Sequence, residues 1–176
     1  ESQLASVIES LSSSPSIIAA APYLEDTVIL GKQDKIFSTT LLGIDPVLER
    51  DLSALSEKLL AGDLLDLERQ PYGIIIGRGL SQHLDVFLGD KIDVTLPRVF
   101  ITPFGPVTRQ KRFVVSGIFE VGSELDMNLV MVNRAEAKRL LRRQWPFDGV
   151  RLKLDDPYKT HAVSYTHLTL PTRRGG

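Results

Sequence analysis

The sequence contains no cysteine. This absence excludes disulfide bonds, thiol nucleophiles and cysteine-ligated zinc sites. Long apolar runs are also missing, because charged or polar residues interrupt every hydrophobic stretch well before the roughly 18 residues that a transmembrane helix needs. The chain as given is therefore predicted neither to span a membrane nor to carry a signal sequence.

Neither sign of charge dominates. The 21 lysines and arginines nearly balance the 22 aspartates and glutamates, for a net charge of −1. This balance argues against a nucleic-acid-binding function based on overall charge and against an acidic disordered tail. With 176 residues, of which 43% are hydrophobic, the chain is long enough to bury a core, as one domain or as two small lobes that share it.

The first part of the chain predicts one helix, three short strands and a second helix. Residues 16–22, 27–30 and 35–42 have strand composition, with Glu25-Asp26 as a turn between the first two. Asp45-Pro46 is typical of a helix start, and this helix is expected to continue to Gly62. Leucines at helical spacing mark its buried face: Leu48, Leu52, Leu55 and Leu59.

The second part predicts more strands than helices. A buried strand at 73–77 leads into a brief helix, and a helix capped by Asn133 is expected to end near Arg143. Because hairpin-connected strands outnumber any regular alternation of strand and helix, the predicted fold class is α+β. The remaining predicted strands have alternating or apolar patterns and cover residues 91–96, 112–119, 129–132 and 150–154.

The segment VFITPFGPVTRQKRF, residues 99–113, combines an apolar run, a proline-rich turn and a cluster of cations. Surface turns usually contain Asn, Asp or Gly, so Phe104 at the tip either folds back over the core or docks a partner. We favour docking, in which Phe104 anchors the contact while Arg109 and Lys111 orient it.

Other motifs are weaker candidates for chemistry. Gly77-Arg78-Gly79 lacks the third glycine of a dinucleotide-binding loop, because Gln82 occupies that position, and no Gly-Lys-Ser/Thr follows. A helix at 134–143 carries a basic stripe that could contact nucleic acid or anionic lipid, although a solvated helix face is the favoured interpretation.

No set of residues indicates an enzyme. Ser81, His83 and Asp85 have the types of a hydrolase triad, but their spacing on one short helix points them in different directions. Neither His161 nor His167 has a metal-ligand spacing. We therefore predict no catalytic residue, no cofactor and no metal, and assign turn or capping roles to the acidic pairs Glu124/Asp126 and Asp155/Asp156.

The order of four motifs resembles the large periplasmic domain of the lipoprotein-releasing ABC transporter permeases, the LolC/LolE family. The resemblance covers roughly residues 1–162. The motifs are Leu42-Gly43-Ile44-Asp45-Pro46, then 73–77, then Leu88-Gly89-Asp90-Lys91-Ile92, then Gly117-Ile118-Phe119 with Glu124-Leu125-Asp126.

The turn at 102–107 is similar to that of the LolC type, in which this hairpin, called the hook, recruits the periplasmic lipoprotein chaperone LolA. The resemblance implies a non-enzymatic component on the periplasmic face of the Gram-negative inner membrane. A second permease subunit, separate ATPase subunits and the lipoprotein substrate would be its other partners, and no nucleic acid is expected. The implied hook residues are Thr102, Pro103, Phe104, Gly105, Pro106, Val107, Arg109, Gln110 and Lys111.

The resemblance also implies a MacB-like architecture. A porter-like α+β lobe would take up about 1–70 and 148–162, and a mostly β lobe bearing the hook would take up about 71–147. The segment 163–176 stays outside the predicted fold as a non-native or disordered tail. Two other interpretations remain open: another MacB-like permease, serving efflux or cell-division signalling, and a less favoured nucleic-acid-binding module.

Overall fold

Eight strands form one mixed sheet in the computed structural model, which describes residues 2–13 and 15–155. The strands are β1 (Ile17–Lys32), β2 (Lys35–Ile44), β3 (Leu59–Gly62), β4 (Gly73–Gly77), β5 (Lys91–Thr102), β6 (Gly105–Phe119), β7 (Leu129–Asn133) and β8 (Gly149–Leu154). The helices are α1 (Ser2–Ser12), α2 (Pro46–Leu52), a 3₁₀ helix (Ala54–Lys58), α3 (Asp66–Arg69), α4 (Arg78–Leu84), α5 (Leu125–Asn128) and α6 (Arg134–Leu141).

The strands other than β3 and β8 close into a ring. Their order is β2-β7-β4-β6-β5-β1, and β1 pairs with β2 to complete the circuit. Two pairings, β2 with β7 and β4 with β6, are parallel, and the others in the ring are antiparallel. β8 extends the sheet by pairing with the first half of β1, and β3 pairs with the end of β6.

The main core draws on every strand of the ring. Alternate residues of β4 and β7, such as Ile74 and Val132, join one apolar cluster together with side chains of α4 and α6. The intervening residues, such as Ile75 and Met131, belong to a second cluster that includes Leu67 of α3. Because both faces of β4 and β7 are covered, these strands are continuous apolar runs rather than alternating ones. A third cluster packs α1 against β1 and β8.

The predicted fold class is confirmed, as are most of the expected elements. β4 runs into α4, and Asn133 caps α6 by accepting a hydrogen bond from the Ala135 backbone N–H at 2.9 Å. Asp45 caps α2 as expected, with its carboxylate accepting from the backbone N–H groups of Val47 and Leu48. The division into two lobes stays a prediction. Every prediction beyond residue 155, including those for Asp156, His161, His167 and the tail, falls outside the described residues.

Two predictions about the first part of the chain are wrong. Glu25-Asp26 is not a turn, because β1 runs unbroken through it and Asp26 uses its carboxylate in ion pairs with other elements. The helix that begins at Pro46 does not reach Gly62: it ends at Leu52, and Ser53 starts the short 3₁₀ helix. The chain then pairs with β6 as β3, so sheet pairing overrides the helical spacing of the leucines.

Candidate functional site

The outer part of the β5–β6 hairpin, residues 99–108, is called the hook from here on, and the other implied contact residues, Arg109, Gln110 and Lys111, follow it at its base. Its register pairs Val99 with Thr108 and Thr102 with Gly105, which leaves Pro103-Phe104 as a two-residue turn. Gly105 has a φ of +116°, a value that L side chains rarely adopt, so glycine suits this position. The hairpin predicted for this segment is confirmed.

Side-chain hydrogen bonds brace the tip. The hydroxyl of Thr102 accepts from the Phe104 backbone N–H at 3.3 Å and donates to the Gly105 carbonyl at 2.8 Å. Pro103 and Pro106 fix their own φ angles. The tip is therefore ordered before any partner arrives, which lowers the entropic cost of binding.

Phe104 does not fold back over the core. Its side chain is 100% exposed, and that of Ile101 is 83% exposed. The register places Ile101 beside Pro106 on one face of the hook, while Phe100 lies beside Val107 on the other and packs against the main core. The hook thus presents an apolar tip and one apolar face to its surroundings.

A register shift marks where the hook leaves the ring. β5 has two more residues than β6 between the paired positions Thr95 and Val99, and Pro97, which has no backbone N–H, lies in this bulge. Beside it, Arg98 forms an ion pair with Asp26 of β1, and Arg143 binds the same carboxylate at 3.2 Å. These contacts anchor the base of the hook to β1 and to the end of α6.

The predicted polar contacts of the returning strand lie on two faces. Arg109 and Lys111 face α6, and their side chains line a cleft of about 410 Å³ with Arg139 and Arg142. Gln110 alternates with them, so its side chain lies on the face that also carries Arg112. Strand alternation therefore puts the side chains of Arg109 and Lys111 on one face and that of Gln110 on the other, although all three residues border the cleft.

On the face opposite the cleft, Arg112 pairs with Asp93 of β5 at 2.9 Å. The hydrogen bond from the guanidinium lowers the pKa of the Asp93 carboxyl. Under the cleft, Glu136 is buried and accepts from the Tyr72 backbone N–H at 2.7 Å. Burial raises the pKa of Glu136, because desolvation disfavours its charged form.

The cations of the basic stripe predicted on α6 have different partners. Arg134 donates to the Pro146 carbonyl at 2.7 Å, and Arg143 is held by Asp26. Arg139 and Arg142 remain at the cleft, while Ala137, Leu140 and Leu141 of the same helix face the core as predicted. The stripe therefore offers no continuous track of cations of the kind that nucleic-acid backbones bind.

The glycine motif at 77–79 serves close packing. A Cβ on Gly77 would lie 2.2 Å from the Asp126 carbonyl oxygen, and one on Gly79 would lie 2.5 Å from the Met127 sulfur. Arg78 pairs with Glu120 at 2.9 Å. These glycines let α5 approach the β4–α4 junction, which agrees with the turn interpretation.

The residues with triad chemistry point to different neighbours. Ser81 is buried and donates to the Val86 carbonyl at 2.6 Å, whereas His83 lies edge-on to Phe37 with ring centroids 5.1 Å apart. Asp85 ends α4 in a left-handed conformation. Within residues 2–13 and 15–155, no three His, Asp or Glu side chains gather as a metal site, and no helix is long and apolar enough to cross a membrane.

Solved structures show the class of fold. The extracellular domain of the ABC-type transporter YknZ from Gram-positive bacteria superposes with a TM-score of 0.60 at 14% identity, covering 87% of this chain and 73% of that one. The periplasmic region of MacB from Actinobacillus actinomycetemcomitans gives 0.57 at 17% identity, covering 87% and 65%. The chain has the fold of a MacB-like periplasmic domain.

Curated relatives identify the family. The chain is 38% identical over 143 residues to the lipoprotein-releasing system transmembrane protein LolC of Xylella fastidiosa strain Temecula1, and 36% identical over 151 residues to LolC of Neisseria meningitidis serogroup B. These matches cover 81% and 85% of this chain. LolE of Haemophilus influenzae is 25% identical over 90% of it. The chain belongs to the LolC/LolE family, and the predicted resemblance is confirmed.

The chain spans about a third of the length of these relatives, 34% of the Xylella protein and 36% of the Neisseria protein. No protein-family model matches the sequence.

Proposed function

We propose that this chain is the periplasmic domain of a lipoprotein-releasing ABC transporter permease, and that its hook binds the periplasmic lipoprotein chaperone, a LolA-like protein. The domain passes lipoprotein from the transporter to that chaperone, toward the outer membrane. A second permease subunit and ATPase subunits complete the transporter, and the domain itself catalyses no reaction. Its place is the periplasmic face of the Gram-negative inner membrane.

The observation that carries this proposal is the complete exposure of Phe104 on a tip that is already ordered. An aromatic side chain held in water on a stiff turn has no structural role within the domain, whereas its burial against a partner contributes roughly 1.5 to 3 kcal/mol. The apolar face carrying Val99, Ile101 and Pro106 extends the contact area beyond the tip. Identity to LolC proteins, at 36% and 38%, supports this partner over that of a more distant MacB-like permease.

The proposed contact residues remain those implied by the resemblance. Phe104 is the anchor, and cations at the base orient the chaperone as it approaches. Since the register separates the returning strand into two faces, we propose that the chaperone straddles it. The full set is Thr102, Pro103, Phe104, Gly105, Pro106, Val107, Arg109, Gln110 and Lys111.

The test is capture of the purified chaperone from the same organism by the Phe104→Asp variant. We expect capture about ten- to a hundredfold weaker than for the wild type, because the anchor's apolar contact is replaced by a charge. The melting temperature should stay nearly unchanged, since Phe104 makes no core contact.

Phe87→Asp is the matched control. Phe87 is 63% exposed and lies in the loop before β5, at the opposite end of that strand from the tip. It should capture the chaperone as the wild type does. Undiminished capture by Phe104→Asp, or equal losses in both variants, would remove the hook from the proposed contact.

A further inference from the structure

Four cations meet in the cleft at the base of the hook, which we call the basic cleft. Its volume is about 410 Å³, and its charged lining consists of Arg109 and Lys111 from β6 and Arg139 and Arg142 from α6 or its end. Tyr72 and Leu140 supply apolar surface, and Thr108 and Gln110 complete the lining. Converging charges of one sign in a concave site raise the local concentration of anions.

The fold, rather than the sequence, brings these cations together. Arg109 and Lys111 are two residues apart on β6 and so share the face toward α6. Arg139 and Arg142 are three residues apart and meet on one side of the helix end, where Arg142 adopts a left-handed conformation. The Arg109 Nη2 donates to the Arg139 carbonyl at 3.4 Å, which connects the two walls.

Among the described residues, none of the four cations forms an ion pair within 4.0 Å, although their neighbours do. Arg112, next to Lys111, pairs with Asp93 at 2.9 Å, and Arg143, next to Arg142, pairs with Asp26 at 3.2 Å. The Arg109 Nη1 is buried and has no hydrogen-bond acceptor in the part of the chain that the structure describes. A buried charged donor without an acceptor is costly, so an anion bound in the cleft would relieve that cost.

One aromatic residue, Tyr72, and one acidic residue, Glu136, interact with the cations of the cleft. The Lys111 ammonium lies 4.1 Å from the centre of the Tyr72 ring, which holds it at the cleft wall. Glu136 lies beneath the cleft, where burial raises its pKa and the charges of Arg139 and Lys111 lower it. Its Oε2 is buried and has no hydrogen-bond partner among the described residues. Burial raises the pKa of Glu136, which opposes the charged form that would pair with these two cations.

We propose that the basic cleft binds a phosphate-class anion, either the headgroup of an anionic phospholipid or a soluble phosphate. Guanidinium forks match the paired oxygens of phosphate, and three arginines face this one cleft. The cleft of about 410 Å³ accommodates one such group, whereas a nucleic acid would need cations spaced along a track. The cleft shares Arg109, Gln110 and Lys111 with the proposed chaperone contact, but Arg139 and Arg142 lie outside that contact, so substituting these two tests the cleft separately.

Inorganic phosphate, titrated into the purified chain at low ionic strength and followed by calorimetry, tests the site. The wild type should bind one phosphate per chain. Arg139→Glu with Arg142→Gln should weaken binding at least tenfold, while Lys35→Glu with Lys58→Gln makes the same charge change at exposed lysines outside the cleft and should stay within twofold of the wild type. Thermal melting checks that both double variants fold.

Sedimentation with vesicles separates the two sources of phosphate. Co-sedimentation with phosphatidylglycerol but not phosphatidylcholine vesicles, lost in the cleft variant, assigns the site to lipid headgroups; phosphate binding without vesicle binding assigns it to soluble phosphate. Equal losses in both double variants would show a general charge effect and overturn the proposal. So would an absence of binding to phosphate and vesicles, or binding only to an oligo-glutamate peptide, which would indicate a site for protein carboxylates.

Discussion

Gly77 lies at a point where two elements approach each other closely. It ends β4 and begins the turn into α4, and the backbone of Asp126 in α5 passes close to its Cα. The Asp126 carboxylate meanwhile accepts hydrogen bonds from the backbone N–H groups of Val121 and Gly122 at 2.8 and 2.9 Å. These bonds fix α5 in place, so the neighbouring backbone cannot move away without breaking them.

Gly77→Ala should therefore destabilise the fold by roughly 1 to 3 kcal/mol, because its Cβ would lie 2.2 Å from the Asp126 carbonyl oxygen. Denaturant unfolding followed by circular dichroism measures the change. Gly31→Ala is the matched control, since its nearest neighbour would be an Ile36 methyl carbon at 3.8 Å, an ordinary contact. Equal midpoints for the two variants would contradict the packing role.

At the scale of elements, the hook depends on a polar anchor at its base. Asp26, in the middle of β1, binds Arg98 from the bulge of β5 and Arg143 from the end of α6. Arg143 also donates to the Glu25 carbonyl at 3.3 Å. The pairing of β5 with β1 ends at Thr95, where the bulge begins. The contacts of Asp26 then determine the direction in which the hook leaves the ring.

Asp26→Ala should loosen the hook more than the ring. Losing both ion pairs from this partly buried carboxylate removes on the order of 1 kcal/mol, which corresponds to roughly fivefold faster amide exchange in residues 99–108. Hydrogen exchange read by mass spectrometry gives this comparison. Glu120→Ala, which removes the Arg78–Glu120 pair at the other end of β6, should leave hook exchange unchanged. Uniform acceleration across the chain in Asp26→Ala would contradict a local anchor.

The elements that the sequence predicted well are those whose signals are local. The hairpin at 91–119 follows from alternation and turn residues, and the Asn133 and Asp45 caps follow from short-range hydrogen bonding. The break expected at Glu25-Asp26 failed because the partners of Asp26 lie more than 70 positions away in the sequence. The exposed Phe104 was predictable from turn composition, but the basic cleft was not, because it joins β6 to a helix about 30 residues later.

The molecule as a whole is a ring that closes without the hook. The parallel pairings of β2 with β7 and β4 with β6 close it, and no sequence pattern specifies which strands pair in this non-sequential order. Only Phe100 of the hook packs against the main core. The hook therefore contributes little to the main core, and we expect the ring to fold without it.

Replacing residues 99–108 by Asn-Gly, a turn that suits a tight hairpin, should leave the ring folded. Losing the partial burial of Phe100 costs about 1 to 2 kcal/mol, so the melting temperature should fall by about 2 to 8 °C. Differential scanning calorimetry should still show one cooperative transition, and chaperone capture should be lost. Disappearance of that transition would show that the hook is needed for the fold.

The pairing of β1 with β8 also has a consequence for synthesis. The first half of β1 pairs with β8, from Tyr23 with Gly149 to Ile17 with Leu154. Roughly 130 residues must therefore be translated after this part of β1 before its partner strand is made. At translation rates of about 5 to 20 residues per second, that wait is on the order of ten seconds. During this interval the first half of β1 exposes an unpaired strand edge, which β8 covers once it has been made.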